Sequence, residues 1–180
     1  CLQDQAYYAF EHLTLPSQLK MHPRYVVPAI EHLCNFYEDA SCSVTSERIY
    51  ITREHATGRK LQNEEAIMEV LLRHGFQKVV MEDLSFGEKV RVMRQARVLV
   101  CSDGSSVTNA VFMSPNARVL AFRPCEFPNY HVVLMALFGH HLQYQICPFA
   151  TTNQSWYTGD LHVDIPTLEA NLEKVLPEIA

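Results

Sequence analysis

The stretch RVLVCSDGSSVTNAVFM, residues 97–113, decides the fold class of this chain. Its apolar start at residues 98–100 predicts a buried strand, and the small polar residues 102–106 predict a tight turn. The apolar residues 107–113 then predict the first turns of a helix. A strand, a small-residue turn and a helix commonly form an anion site. The reason is that the first N–H groups of the helix point at the turn, and the helix dipole favours negative charge there.

Basic residues follow an earlier predicted strand, residues 48–52. They are Arg53, Arg59 and Lys60. The guanidinium group of arginine and the ammonium group of lysine both bind phosphate. Taken alone, each feature has a structural alternative: an ordinary turn with a serine cap, and a solvated basic loop ahead of a helix. Because the carboxyl ends of parallel strands meet at one edge of a sheet, the two features together predict a site for a phosphate-bearing ligand.

Strand and helix patterns alternate from residue 48 onward. Strands are predicted at residues 48–52, 78–81, 98–101, 118–122 and 142–147. A helix is predicted at residues 63–74, with Asn63 as its N-cap and Leu72 in its buried stripe. A second helix is predicted to begin after a capping box at Ser85 and Glu88. Two more are predicted at residues 129–138 and from Asp164 onward. This βαβ rhythm predicts an α/β fold, a Rossmann-like parallel sheet with helices on both faces.

The first part of the chain has a different pattern. Apolar residues at helical spacing predict a helix over residues 23–39, with Pro28 tolerated only near its start. We therefore expect residues 1–46 to be an N-terminal helical appendage with a linker, and residues 47–180 to be the sheet domain. Because the chain begins at Cys1 rather than Met, we expect a fragment, a processed chain or a trimmed one.

Composition excludes several classes of protein. The net charge of −5 and the pI near 6.0 argue against a nucleic-acid partner. No apolar run is long enough for a transmembrane segment, and no signal peptide is visible. The six cysteines form no CxxC pair, which predicts reduced thiols rather than a disulfide framework or a metal centre. The histidines show no zinc spacing either, so no metal site is predicted.

Common cofactor and nucleophile motifs are also absent from the sequence. The six glycines lie far apart, which excludes the GxGxxG turn of dinucleotide-binding proteins and the Walker loop. No GxSxG nucleophile elbow occurs. We therefore predict no cofactor.

Five motifs occur in the order and spacing of a known family. They are YITR (50–53), RKLQNEE (59–65), GF (75–76), LSF (84–86) and VCSDGSSVTNAVF (100–112). In these motifs the chain resembles the glycosyltransferase family 61 domain over about residues 48–123. The resemblance implies the C-terminal, donor-binding half of a GT-B fold, in an inverting enzyme that needs no metal and uses a nucleotide sugar as substrate.

The resemblance also assigns roles to residues. Arg53, Arg59 and Lys60 would bind the leaving nucleoside diphosphate, while Asn63 and Glu64 would fix the loop or contact the nucleoside. The turn would present its N–H groups and polar side chains to the phosphates through Gly104, Ser105, Ser106, Thr108 and Asn109. Nucleotide sugar and a glycan, lipid-linked or protein acceptor are then the expected partners, with an upstream acceptor domain or partner chain completing the enzyme. The implied location is cytoplasmic or membrane-peripheral in a bacterium, and the secretory-pathway lumen in a eukaryote.

Three positions depart from the family pattern. Asp103 stands where the family has histidine, Ser105 where it has alanine, and Ala121 where a glutamate often follows the next strand. Asp103 is the carboxylate that we predict as the catalytic base, because sugar transfer needs a proton acceptor near the acceptor hydroxyl. Two alternatives stay open: a catalytically degenerate domain that serves as a binding or assembly module, and an unrelated flavodoxin-like domain with chance motif matches.

Overall fold

The computed structural model describes residues 22–39, 41–125, 130–151 and 158–176. Its centre is a five-stranded, wholly parallel sheet with the strand order β2-β1-β3-β4-β5. The strands are β1 Arg48–Ile51, β2 Gln77–Val79, β3 Val98–Ser102, β4 Arg118–Arg123 and β5 His141–Ile146. The prediction of a Rossmann-like parallel sheet is therefore confirmed, with strand ends that differ from the predicted ones by one or two residues.

Helices connect the strands and cover both faces of the sheet. They are α1 Pro23–Phe36, α2 Glu64–Arg73, α3 Phe86–Gln95, α4 Ser105–Thr108, α5 Tyr130–Leu137 and α6 Ile165–Val175. Two short 3-10 turns occur at Met81–Asp83 and Asn109–Phe112. The helices α1, α3 and α5 contribute to the apolar core on one face, and α2 and α6 contribute to the core on the other.

Successive side chains of β1 and β3 lie on opposite faces of the sheet, so each strand contributes to both cores. Ile49 and Leu99 are fully buried in the core of α1, α3 and α5, whereas Tyr50 and Val100 are buried in the core of α2 and α6. Because strands buried on both faces can have no polar side, their sequences are continuous apolar runs. This is why residues 98–101 carry so strong a strand signal.

The chain order reverses next to β1. After β1 the chain moves outward to β2, and it then crosses back over β1 to form β3 on the other side. The carboxyl ends of β1 and β3 therefore diverge from each other at their loops. Parallel α/β sheets bind ligands in the crevice that forms at such a switch point.

The predicted capping box and the predicted start of the last helix at Asp164 are confirmed. Ser85 and Glu88 form a reciprocal capping box at the start of α3, and the Asp164 side chain accepts a hydrogen bond from the Thr167 N–H at 2.9 Å. Asn63 makes no side-chain cap for α2. Its amide instead forms two hydrogen bonds with the backbone of Val163, so the residue joins α2 to the segment that leads into α6.

The helical turns predicted after residues 102–106 are one α-helical turn followed by a 3-10 turn, residues 105–112. Two other local predictions are wrong for identifiable reasons. Pro28 lies inside α1 beyond its first turn, and the helix continues around it. Leu72 is 62% exposed, because Val70 and Leu71 already fill the face that α2 turns to the sheet.

The described cysteines are free thiols, as predicted. Cys34, Cys101 and Cys147 are buried, and burial raises the pKa of each of these three thiols. Cys1 lies outside the described residues. The helix α1 packs against α3 and the 3-10 turn Asn109–Phe112.

Candidate functional site

A cavity of about 220 Å³ opens at the carboxyl ends of β1 and β3. Its lining residues are Ile51, Arg53, Met81, Glu82, Lys89, Ser105, Ser106 and Asn109. Two larger cavities, of about 510 and 280 Å³, lie at the opposite edge, where the strands begin, and both are lined by Arg118. Because ligands of parallel sheets bind at the carboxyl edge, the smaller cavity is the candidate site. We call it the switch-point cavity.

Arg53 enters this cavity from the loop after β1. One guanidinium nitrogen donates to the Gly58 carbonyl at 3.1 Å, which fixes the side chain, and its Nε is buried. Burial lowers the pKa of Arg53, and the nearby positive charge of Arg59 lowers it further. The Glu82 carboxylate, which lines the same cavity, acts on Arg53 in the opposite direction. The repulsion between the two guanidinium groups favours a further anion beside them.

Arg59 packs directly on the β3–α4 turn. Its Nη1 donates to the Asp103 carbonyl at 3.2 Å, and its backbone has a positive φ of 55°. Gly104 has a φ of 135°, and a Cβ added there would lie 2.9 Å from the same Nη1. The turn therefore requires glycine for its backbone dihedrals, and the Arg59 guanidinium occupies the space where a side chain would begin.

The polar side chains after Gly104 differ in position. Ser105 and Thr108 are exposed, whereas Ser106 is buried. The Asn109 amide donates to the Ser106 carbonyl at 3.2 Å, which braces the single turn of α4. The first intrahelical bond there is from the Val107 N–H to the Gly104 carbonyl at 3.1 Å. A single turn adds little macrodipole, so the cations and side chains supply most of the attraction for an anion.

Asp103 lies inside the protein rather than in the switch-point cavity. Only 1% of its side chain is exposed, its Oδ1 is 2.7 Å from His131 Nδ1, and its Oδ2 is 3.7 Å from Arg123 Nε. The Arg123 guanidinium also lies 4.4 Å from the centroid of the Tyr144 ring. A buried carboxylate is tolerated only when it is paired, so these neighbours are what allow an aspartate at the end of β3.

Three other predicted residues hold the loop that carries the arginines. The Lys60 ammonium donates to the Glu54 carbonyl at 3.2 Å and does not line the switch-point cavity. The Glu64 carboxylate accepts hydrogen bonds from the hydroxyls of Tyr50 and Thr52. Together with the hydrogen bonds between Asn63 and Val163, these contacts hold the loop after β1 in place.

The structure thus brings together part of the predicted set. Arg53, Ser105, Ser106 and Asn109 line one cavity, and Arg59 and Gly104 pack against each other beside it. Thr108, Lys60, Asn63 and Glu64 do not line that cavity. The catalytic assignment of Asp103 stays a prediction.

Sequence reasoning missed three basic residues around this edge. Lys89 lines the switch-point cavity from α3, and Arg123 and His131 contact the Asp103 carboxylate. Lys89 follows the capping box by one residue, so its place at the start of α3 was visible in the sequence. Its proximity to the turn at 105–109 depends on how α3 packs, which no local pattern encodes.

Two negative findings apply to the described ranges 22–39, 41–125, 130–151 and 158–176. Within them, no three His, Cys, Asp or Glu side chains are grouped closely enough to hold a metal ion. No helix in those ranges has the length and apolar character needed to cross a bilayer.

We predict that Gly104→Ala destabilises the protein more than Gly139→Ala. Both glycines have positive φ, but Gly104, at φ 135° and ψ −148°, lies in a region that essentially only glycine adopts, whereas Gly139, at φ 69°, lies in the left-handed region that other residues also reach. We expect a loss of about 1 kcal/mol in the free energy of unfolding at Gly139 and about 3 kcal/mol at Gly104, measured by urea denaturation. Equal losses in the two variants would contradict the glycine-only conformation of the turn.

Comparison with known proteins gives one family. The family model described as Glycosyltransferase 61 matches residues 2–120, which is more than half of the chain. The matched segment ends within β4 and includes the loop of Arg53 and Arg59 and the turn at 103–109. None of the curated proteins compared with the chain matches it.

Proposed function

Because the chain belongs to the glycosyltransferase 61 family, we propose that its switch-point cavity binds the diphosphate of a nucleotide-sugar donor for transfer to a glycan, lipid-linked or protein acceptor. Family membership makes this a glycosyltransferase-like domain, and it removes the alternative of an unrelated flavodoxin-like domain. The donor, the acceptor and an inverting course of reaction belong to the proposal.

One observation carries the proposal. Arg53 and the polar side chains of Ser105, Ser106 and Asn109 come from loops about 50 residues apart in sequence, yet they line the same cavity at the switch point. Arg59 lies beside them on the turn. Cations and hydrogen-bond donors that converge from different elements are what a pyrophosphate needs.

The chemistry follows from the charge that develops during transfer. The bond between the anomeric carbon and the donor phosphate oxygen breaks, its electron pair goes to the diphosphate, and the acceptor hydroxyl oxygen forms the new bond. Arg53 and Arg59 would stabilise the departing diphosphate because their positive charges are held in place before the bond breaks. In an inverting course the acceptor attacks from the face opposite to the diphosphate, and a base takes its proton.

Asp103 is our candidate for that base, but its burial favours a second function. Its carboxylate is 1% exposed and contacts His131 and Arg123, so an acceptor hydroxyl reaches it only if the turn moves. A catalytically degenerate domain, which binds a nucleotide sugar or assembles with a partner without transfer, is therefore the second candidate.

Isothermal titration with UDP, GDP and CMP tests the binding step. We expect heat with UDP or GDP, and a dissociation constant at least about tenfold higher for Arg53→Ala, because a charge-assisted contact to phosphate is lost. Arg73→Ala is the matched control, since Arg73 is exposed and pairs with Glu169 on α6. Absence of heat with all three nucleotides, or equal affinity in Arg53→Ala and wild type, would contradict the proposal.

Hydrolysis of the donor sugar by the protein separates the two candidates. If Asp103 is the base, Asp103→Asn lowers kcat by a factor of about 100 or more and leaves KM nearly unchanged. Urea denaturation of the same variant shows whether the fold persists. A protein that binds donor but turns none over, with or without the substitution, is the degenerate module.

A further inference from the structure

Lys89 places a cation in the switch-point cavity from an element that none of the predicted site residues occupies. It is the fourth residue of α3, it is half-buried, and it lines the cavity together with Arg53, Ser105 and Asn109. Arg53 comes from the loop after β1, whereas Lys89 comes from the helix after β2. The cavity therefore has a positive charge from each of two separate elements.

The surroundings of Lys89 differ from those of the other lysines near this edge. Lys78 pairs with the carboxylates of Glu54 and Glu64, and Lys60 donates to a backbone carbonyl. Within the part of the chain that the structure describes, no carboxylate lies within ion-pair distance of the Lys89 ammonium. Glu82 also lines the cavity, but it forms no ion pair with Lys89.

Its position on α3 is unfavourable for a purely structural lysine. The N-terminal turn of a helix carries partial positive charge, so a cation there is disfavoured and an acidic residue such as Glu88 is favoured. A ligand with negative charge in the cavity would offset this cost.

Cavity size indicates which part of a nucleotide fits. At about 220 Å³ the cavity is smaller than the roughly 300–1,000 Å³ of sites that enclose drug-sized ligands. It suits a pair of phosphate groups, with the nucleoside and the sugar outside. Two phosphates bound between two elements would each have a cation, Arg53 for one and Lys89 for the other.

We infer that Lys89 is a specificity-determining residue that makes the site select nucleoside diphosphates over monophosphates. The inference rests on the proposed donor site and deepens it. A diphosphate spans the cavity and contacts both cations, whereas a monophosphate contacts one of them. Loss of Lys89 should then weaken diphosphate binding and leave monophosphate binding almost unchanged.

The test is isothermal titration of wild type, Lys89→Gln and Lys89→Arg with UDP, UMP, GDP, GMP and CMP. We expect Lys89→Gln to raise the dissociation constant for the better-bound diphosphate about tenfold and that for its monophosphate by less than threefold, while Lys89→Arg stays within threefold of wild type. Lys174→Gln, which removes an exposed lysine at the opposite edge of the sheet, is the matched control and should bind as wild type does.

The outcomes separate this inference from the proposed function. If Lys89→Gln binds the diphosphate as wild type does while Arg53→Ala does not, Lys89 is not in the site and the donor proposal stands. If wild type binds CMP more tightly than any diphosphate, selection by Lys89 is overturned and the donor class changes. If wild type binds no nucleotide, the donor proposal and this inference both fail. Thermal denaturation of Lys89→Gln, a change at a half-exposed helix position, confirms that the variant is folded.

Discussion

The buried carboxylate of Asp103 is the constraint around which the carboxyl edge of the sheet is organised. It ends β3 in the interior, where a charge is tolerated only with partners, and Arg123 from β4 and His131 from α5 are those partners. Arg59 then holds the carbonyl of the same residue from the other side. One residue thus links two strands, a helix and the arginine-bearing loop, and it fixes where the following turn can lie.

The position of this turn gives the site its chemical character. With the turn held, Gly104 makes room for the Arg59 guanidinium, and the side chains at 105, 106 and 109 line the cavity that Arg53 and Lys89 share. The site is therefore a set of charges on fixed elements at a topological switch point. In the proposed donor site, fixed cations of this kind would stabilise a leaving diphosphate without rearranging during the reaction.

Much of the fold could be predicted from the sequence, because its determinants are local. Continuous apolar runs gave the strands, and the capping residues Ser85 and Asp164 gave the starts of α3 and α6. The family could be predicted because its motifs are local, and the position of Arg53 directly after β1 places it at the carboxyl edge of the sheet. Lys89 and His131 could not be predicted, because their positions depend on how α3 and α5 pack across the sheet. Leu72 was predicted wrongly as buried, whereas Asn63 does precede α2 as predicted but uses its side chain for a tertiary contact with Val163.

A crystal structure of the protein with the nucleoside diphosphate that it binds most tightly tests the central claim most directly. The account predicts the diphosphate at the carboxyl edge of the sheet, with phosphate oxygens within hydrogen-bond distance of the Arg53 guanidinium, the Lys89 ammonium and a side chain of residues 105–109. A diphosphate bound beside Arg118 at the opposite edge, where the two larger cavities lie, would contradict the account.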